Sequence, residues 1–107
     1  MFTRIIEIVA KAGKSHELAN TIHEKVLPIL KKQNGFVGET VLISETEPDR
    51  ILALGFWNKR EDADHYHNRE YKTVSEMLQD LLEVEPVIRT FNVHSSTTHK
   101  IAASKAA

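Results

Sequence analysis

The chain has 107 residues, 41% of them hydrophobic and 27% charged, with fourteen Lys+Arg against fifteen Asp+Glu and no cysteine. That length is one domain able to bury about two-thirds of its unfolded surface. Balanced, dispersed charge excludes nucleic-acid binding through a basic patch, and the missing cysteines exclude a disulfide framework, a thiolate metal site and a thiol nucleophile. The start, MFTRIIEIVAKAGK, lacks the charged, apolar and small-residue segments of a cleaved signal. No apolar run approaches the roughly 20 residues of a membrane span, so the expected compartment is the cytoplasm, with no membrane partner.

In chain order, FTRIIEIVA is a short β-branched run ended by the turn-like KAG, and it predicts a strand with apolar residues on both faces, Ile6 and Ile8 on one and Ile5 and Val9 on the other. Leu18, Ile22, Val26, Ile29 and Leu30 then recur at helical spacing. Ser15 is the expected N-cap, Asn34-Gly35 the stop, and Pro28 predicts a kink or break inside the pattern. FVGETVLIS and ILALGFW, separated by ETEPDR, predict an antiparallel hairpin. On its second strand Ala53, Gly55 and Trp57 share one face by period-two alternation. Two small residues beside one large aromatic leave room for a pocket with Trp57 as its floor.

Asn58 with Glu61 predicts the start of a short helix over 59–67, and Asn68 the cap of a second whose stripe is Tyr71, Val74, Leu78, Leu81 and Leu82. Glu85-Pro86 ends it, because the residue before proline disfavours helix. VIRTFNVH is the last strand. The expected class is α+β, a ferredoxin-like βαββαβ domain over residues 1–94 with a four-stranded antiparallel sheet and helices on one face. Residues 95–107 are polar and small, and are expected to be a flexible tail dispensable for folding. The uncovered face of the sheet carries apolar side chains, and an isologous pairing of two sheets in a homodimer covers it.

The order of elements together with LPILKKQNGFVG, ILALGFWNKREDADHYHNREY and VIRTFNV resembles the antibiotic biosynthesis monooxygenase family of dimeric α/β-barrel proteins. Pro28 followed by Gly35-Phe36, and Trp57 before an acidic helix, match that family's habit. The resemblance covers about residues 2–94. It implies a cofactor-independent oxygenase, with no metal, flavin or haem, acting with molecular oxygen on a small electron-rich aromatic such as a quinol or polyphenol. The protein's part is then a dry pocket, orientation and a proton acceptor. It equally admits a non-catalytic ligand-binding or stress-associated dimer of the same fold. Haem-degrading members carry an Asn, a Trp and a His where this chain has Ile6, Tyr66 and Glu76; without a proximal histidine that activity is not expected.

The segment WNKREDADHYHNREY concentrates the aromatic and imidazole groups. Trp57 reads either as a core aromatic or as a pocket wall with an indole N–H to donate. His65 and His67, two apart on a helix, point about 200° from each other and do not share a metal ion; no metal site is expected. With Ala63 inward, Tyr66 and His67 fall within about a third of a turn of it and His65 points away. The family's spacing back from Tyr71 would place His65 in the cavity instead; the phase argument favours Tyr66. The expected catalytic residues are therefore Trp57, Tyr66 and His67, the last as a base of pKa about 6.5. Ala53, Gly55, Trp57 and Tyr71 are expected to contact substrate. Arg4 and Arg89, both on strands, read as inter-subunit ion pairs or as anchors for an acidic or phenolate ligand.

Overall fold

Period-two alternation builds four strands: β1 (Phe2–Val9), β2 (Phe36–Ile43), β3 (Arg50–Trp57) and β4 (Val87–Asn92). In this computed structural model, which describes residues 1–99, they form one antiparallel sheet in the order β2-β3-β1-β4. With two helical arms between the strands, this is the expected α+β, ferredoxin-like fold. Among the described residues no helix is long and apolar enough to cross a membrane.

The first arm is α1 (Ser15–Thr21), a π-helical turn (Ile22–Val26) and α2 (Leu27–Lys31). Ser15 is the first helical residue, and Lys14, with no side-chain cap, takes the N-cap position expected for it. The break expected at Pro28 takes the form of that wide turn immediately before it. Proline has no N–H to return to residue 24, so the ladder loosens there without the arm ending.

The second arm departs from expectation. α3 (Arg60–Leu78) is one continuous helix, followed by a 3₁₀ turn at Gln79–Leu81, instead of two helices capped at Asn58 and Asn68. Its N-cap is Lys59, and no side chain caps it. Asn68 is exposed, and the buried stripe Ala63, Tyr66, Val74 and Leu78 runs past it without interruption. One asparagine on the solvent side costs little propensity compared with continuous burial of that stripe.

Both arms lie on the face of the sheet carrying Phe2, Arg4, Ile6 and Ile8 of β1, whose register partners on β3 are Trp57, Gly55, Ala53 and Ile51. Leu18 and Ile51, at 0% exposure, lie at the centre of this core. Burying each such side chain stabilises the fold by about 1.5–3 kcal/mol. The opposite face carries Ile5, Leu52, Leu54 and Phe56, half-buried, and Leu42, Val87 and Phe91, exposed. The tail crosses this face as far as it is described: the His99 ring lies 4.6 Å from that of Phe56. The expectation for residues 95–107 extends past 99, outside the described residues.

Gly35 joins the arms. It holds φ +79°, its carbonyl accepts from the Asn58 N–H at 2.8 Å, and a Cβ there would stand 2.0 Å from Asp62 Oδ2. Gly35→Ala combines the left-handed penalty of about 1–2 kcal/mol with displacement of the start of α3. Chemical denaturation should show a loss of at least that size, with Gly38→Ala, where a Cβ meets nothing within 4 Å, as the benign control.

Candidate active site

Between the sheet and α3 a narrow cavity of about 50 Å³ opens over the middle of β1 and β3. Its floor is Arg4, Ile6, Ala53, Gly55 and Trp57; α3 supplies Tyr66, Tyr71 and Val74; the first arm supplies Ile22, Val26 and Leu30; β2 supplies Glu39. The pairing of small residues with Trp57 on one strand face does leave a gap here. A Cβ on Gly55 would lie 3.4 Å from the indole Nε1, so any side chain at that position narrows the space.

The aromatic groups touch in series. Phe36 meets Trp57 edge-on at 5.4 Å and 72°, and Trp57 lies 5.4 Å from Tyr66 at 32°. Trp57 and Tyr66 are 1% and 3% exposed. Burial pushes the Tyr66 hydroxyl far above its ordinary pKa, with Arg4 opposing, so it stays a neutral hydrogen-bonding group. Tyr71, half-buried, is raised for the same reason.

Arg4 is the charged member, 5% exposed on the central strand β1. Its guanidinium carbon lies 5.6 Å from the Tyr66 ring centre and 5.4 Å from that of Tyr71, both within cation–π range. Burial lowers its pKa, while the tyrosines and Asp64 act the other way; an arginine stays protonated regardless. Among the described residues no carboxylate forms an ion pair with it. Arg89, by contrast, is paired with Glu7 on the outer face.

His67 is not among the residues lining the cavity. It is exposed, and its Nδ1 lies 3.0 Å from Arg4 Nη2. A guanidinium only donates, so Nδ1 is the acceptor and the remaining proton sits on Nε2. Burial and then Arg4 lower the His67 pKa, which keeps the ring neutral and the bond intact near neutral pH. Tyr71, one turn on, stacks on the imidazole at 4.7 Å and 21°. The expected proton-accepting nitrogen is thus engaged by Arg4, and the ring stands about 100° around the helix from Tyr66, beside the cavity. His65 points away, beside Gln33, Asn34, Glu61 and Arg69. Among the described residues no three His, Asp or Glu side chains gather as a metal site.

Sequence reasoning missed Glu39. Its register partner is Gly55, whose own partner across β1 is Arg4. Its parity with Val41 and Ile43 was the available signal, but a glutamate in a strand reads as solvent-facing. A bulge between Phe36 and Gly38 precedes it.

The chain belongs to the antibiotic biosynthesis monooxygenase family, whose profile matches residues 1–77. Among curated proteins no relative matches the sequence. Among solved structures it is similar to a Streptomyces coelicolor monooxygenase in complex with nanaomycin D: 14% identity, 89% of this chain and 88% of that one covered, TM-score 0.75. A mutant of SnoaB, a cofactor-independent oxygenase from Streptomyces nogalater, matches at 14% identity over 92% of this chain and 97% of that one, TM-score 0.76. A protein of unknown function from Nitrosomonas europaea matches at 16% identity over 95% and 94%, TM-score 0.75. At such identities the likeness is one of fold.

Burial raises the Glu39 carboxyl from 4.5 to about 7. The folded state then binds this proton more tightly than the unfolded chain, so the contribution of Glu39 to stability is greatest below about 4.5 and is lost as pH rises through 7. Melting curves of wild type and Glu39→Gln across that window should converge at the acid end, with the variant holding the advantage at the alkaline end.

Proposed function

We propose that this protein is a cofactor-independent monooxygenase of a small electron-rich aromatic, a quinol or polyphenol, bound as its anion against Arg4. The observation that carries this reading is the buried guanidinium of Arg4, open to an aromatic-walled cavity and lacking a paired carboxylate among the described residues. A buried cation favours an anionic ligand. The family and the neighbouring oxygenases support the reaction type.

In this reading a phenol loses its proton and its anion is held by Arg4. The electron-rich anion passes one electron to oxygen, giving a ring radical and superoxide. Their combination forms a carbon–oxygen bond, and loss of the ring hydrogen with cleavage of the O–O bond releases water and leaves a quinone. Phenol and oxygen thus balance quinone and water, and the substrate supplies every electron. Trp57 and Tyr66 wall the ring, and Ala53 and Gly55 leave it room. Among the described residues the Trp57 N–H has no hydrogen-bond partner and is available to the ligand. His67 acts as a positioning residue for Arg4. Tyr71, half-buried, is the wall with most freedom to swing, and a cavity of 50 Å³ needs that movement to admit a ring. Positions 6, 66 and 76, where haem-degrading members carry Asn, Trp and His, hold Ile6, Tyr66 and Glu76 here, with Glu76 exposed; haem degradation is not proposed.

The test is oxygen uptake over a panel of hydroquinones. Arg4→Met should lower turnover by at least about 100-fold, the scale of losing one electrostatic anchor at the reacting anion. Its melting temperature should hold or rise, because a buried charge is replaced by an apolar side chain of similar length. Binding without oxygen uptake for every hydroquinone leaves a ligand-binding dimer as the better reading.

The assembly we propose is a homodimer joined through the outer sheet face, because Leu42, Val87 and Phe91 are exposed there beside Phe56. Light scattering at micromolar concentration should give twice the chain mass, and a stable folded monomer would refute it. Leu42→Glu should shift the population toward monomer.

A further inference from the structure

We infer that Glu39 is the proton acceptor of this site, taking the phenolic proton from one side of Gly55 while Arg4, from the other side, holds the same oxygen as the resulting anion. The inference rests on the reading of the cavity as a phenol site and adds the group that reading lacks. The register sets the geometry. Glu39, Gly55 and Arg4 are direct neighbours across β2, β3 and β1. Two strand spacings separate Glu39 from Arg4, about 9.5 Å between Cα atoms. Both side chains line the same cavity, and the residue between them has none. Side chains as long as those of glutamate and arginine can reach one phenolic oxygen held between them above Gly55.

Nothing else in the site offers that service. The His67 acceptor nitrogen is bonded to Arg4, and both tyrosines are held protonated by burial. Among the described residues no ion pair or side-chain hydrogen bond engages the Glu39 carboxyl. The titratable or charged groups facing it from the packed elements are Arg4 of β1 and Tyr66 and Tyr71 of α3; the first arm presents Ile22, Val26 and Leu30. Its value of about 7 matches an acceptor working near neutrality. The step balances: the phenol O–H bond breaks, a carboxyl O–H bond forms, and negative charge moves from the carboxylate to the phenolate beside Arg4.

Two measurements test it. The first uses 4-hydroxyacetophenone, whose anion absorbs clear of the protein, in weakly buffered solution just above the Glu39 value of about 7. Wild type should generate the bound anion while releasing well under one proton per anion to an indicator dye, because the ionised fraction of Glu39 takes the proton. Glu39→Gln should release one proton per anion formed, or bind the phenol neutral. Equal release by the two proteins, or no binding to wild type, overturns the inference.

The second follows oxygen uptake with hydroquinones against pH. Glu39→Gln should lower kcat by about 10²–10⁴-fold with KM changed only a few-fold. It should also abolish a rising limb near pH 7 that Glu39→Asp partly restores. Wild-type kinetics in Glu39→Gln overturn the inference and leave the oxygenase reading standing. If wild type oxidises no hydroquinone, the oxygenase reading fails, and the proton-release measurement alone decides the role of Glu39.

Discussion

The site is organised around the burial of one guanidinium on the central strand of the sheet. Taking Arg4 out of water is costly, and only part of the cost is offset by one hydrogen bond to His67 and two tyrosine faces. Those partners all come from α3, so the charge also ties that helix to β1 at one rotational setting. Once Arg4 is placed, the helix must present Tyr66, His67 and Tyr71 in the order observed. The space left over is the cavity. A sheet filled with leucine at position 4 would have a drier core and no charge facing the cavity.

Much of this was legible in the sequence. Alternation gave the strands, and the parity of Ala53, Gly55 and Trp57 identified the strand face with room. The phase of α3 followed from Ala63, and it separates Tyr66 from His65 without any family knowledge. Arg4 was marked out because arginines on strands need an explanation. What the sequence concealed was pairwise. That His67 spends its acceptor nitrogen on Arg4 depends on residues 63 positions apart, and no local pattern carries it. Glu39 was hidden by the usual rule that a strand carboxylate faces water. The continuity of α3 was hidden by Asn68, whose capping preference is local and weak beside the packing of Val74 and Leu78.

The two faces of the sheet divide the work. The inner face is interrupted at three neighbouring positions, by a charge, a gap and a carboxyl, and those interruptions define the site. The outer face is mainly apolar, broken by Thr3, Thr40, Arg50 and the Glu7–Arg89 pair. A fold match at 14% identity requires only that the alternation of apolar and polar positions be preserved in kind.

The wide turn at Ile22–Val26 has a geometric consequence of its own. Leu18, Ile22, Val26 and Leu30, all buried, are spaced by four. At 3.6 residues per turn each such step overshoots a full circle by about 40°, so three steps in an unbroken α-helix would carry Leu30 about 120° away from Leu18. A π-helical turn winds more slowly and takes back part of that overshoot. It acts as a vernier, bringing a four-residue ruler into line with a 3.6-residue screw, and so keeps Ile22, Val26 and Leu30 in one row above the cavity. The irregularity beside Pro28 is therefore what gives the site a straight roof.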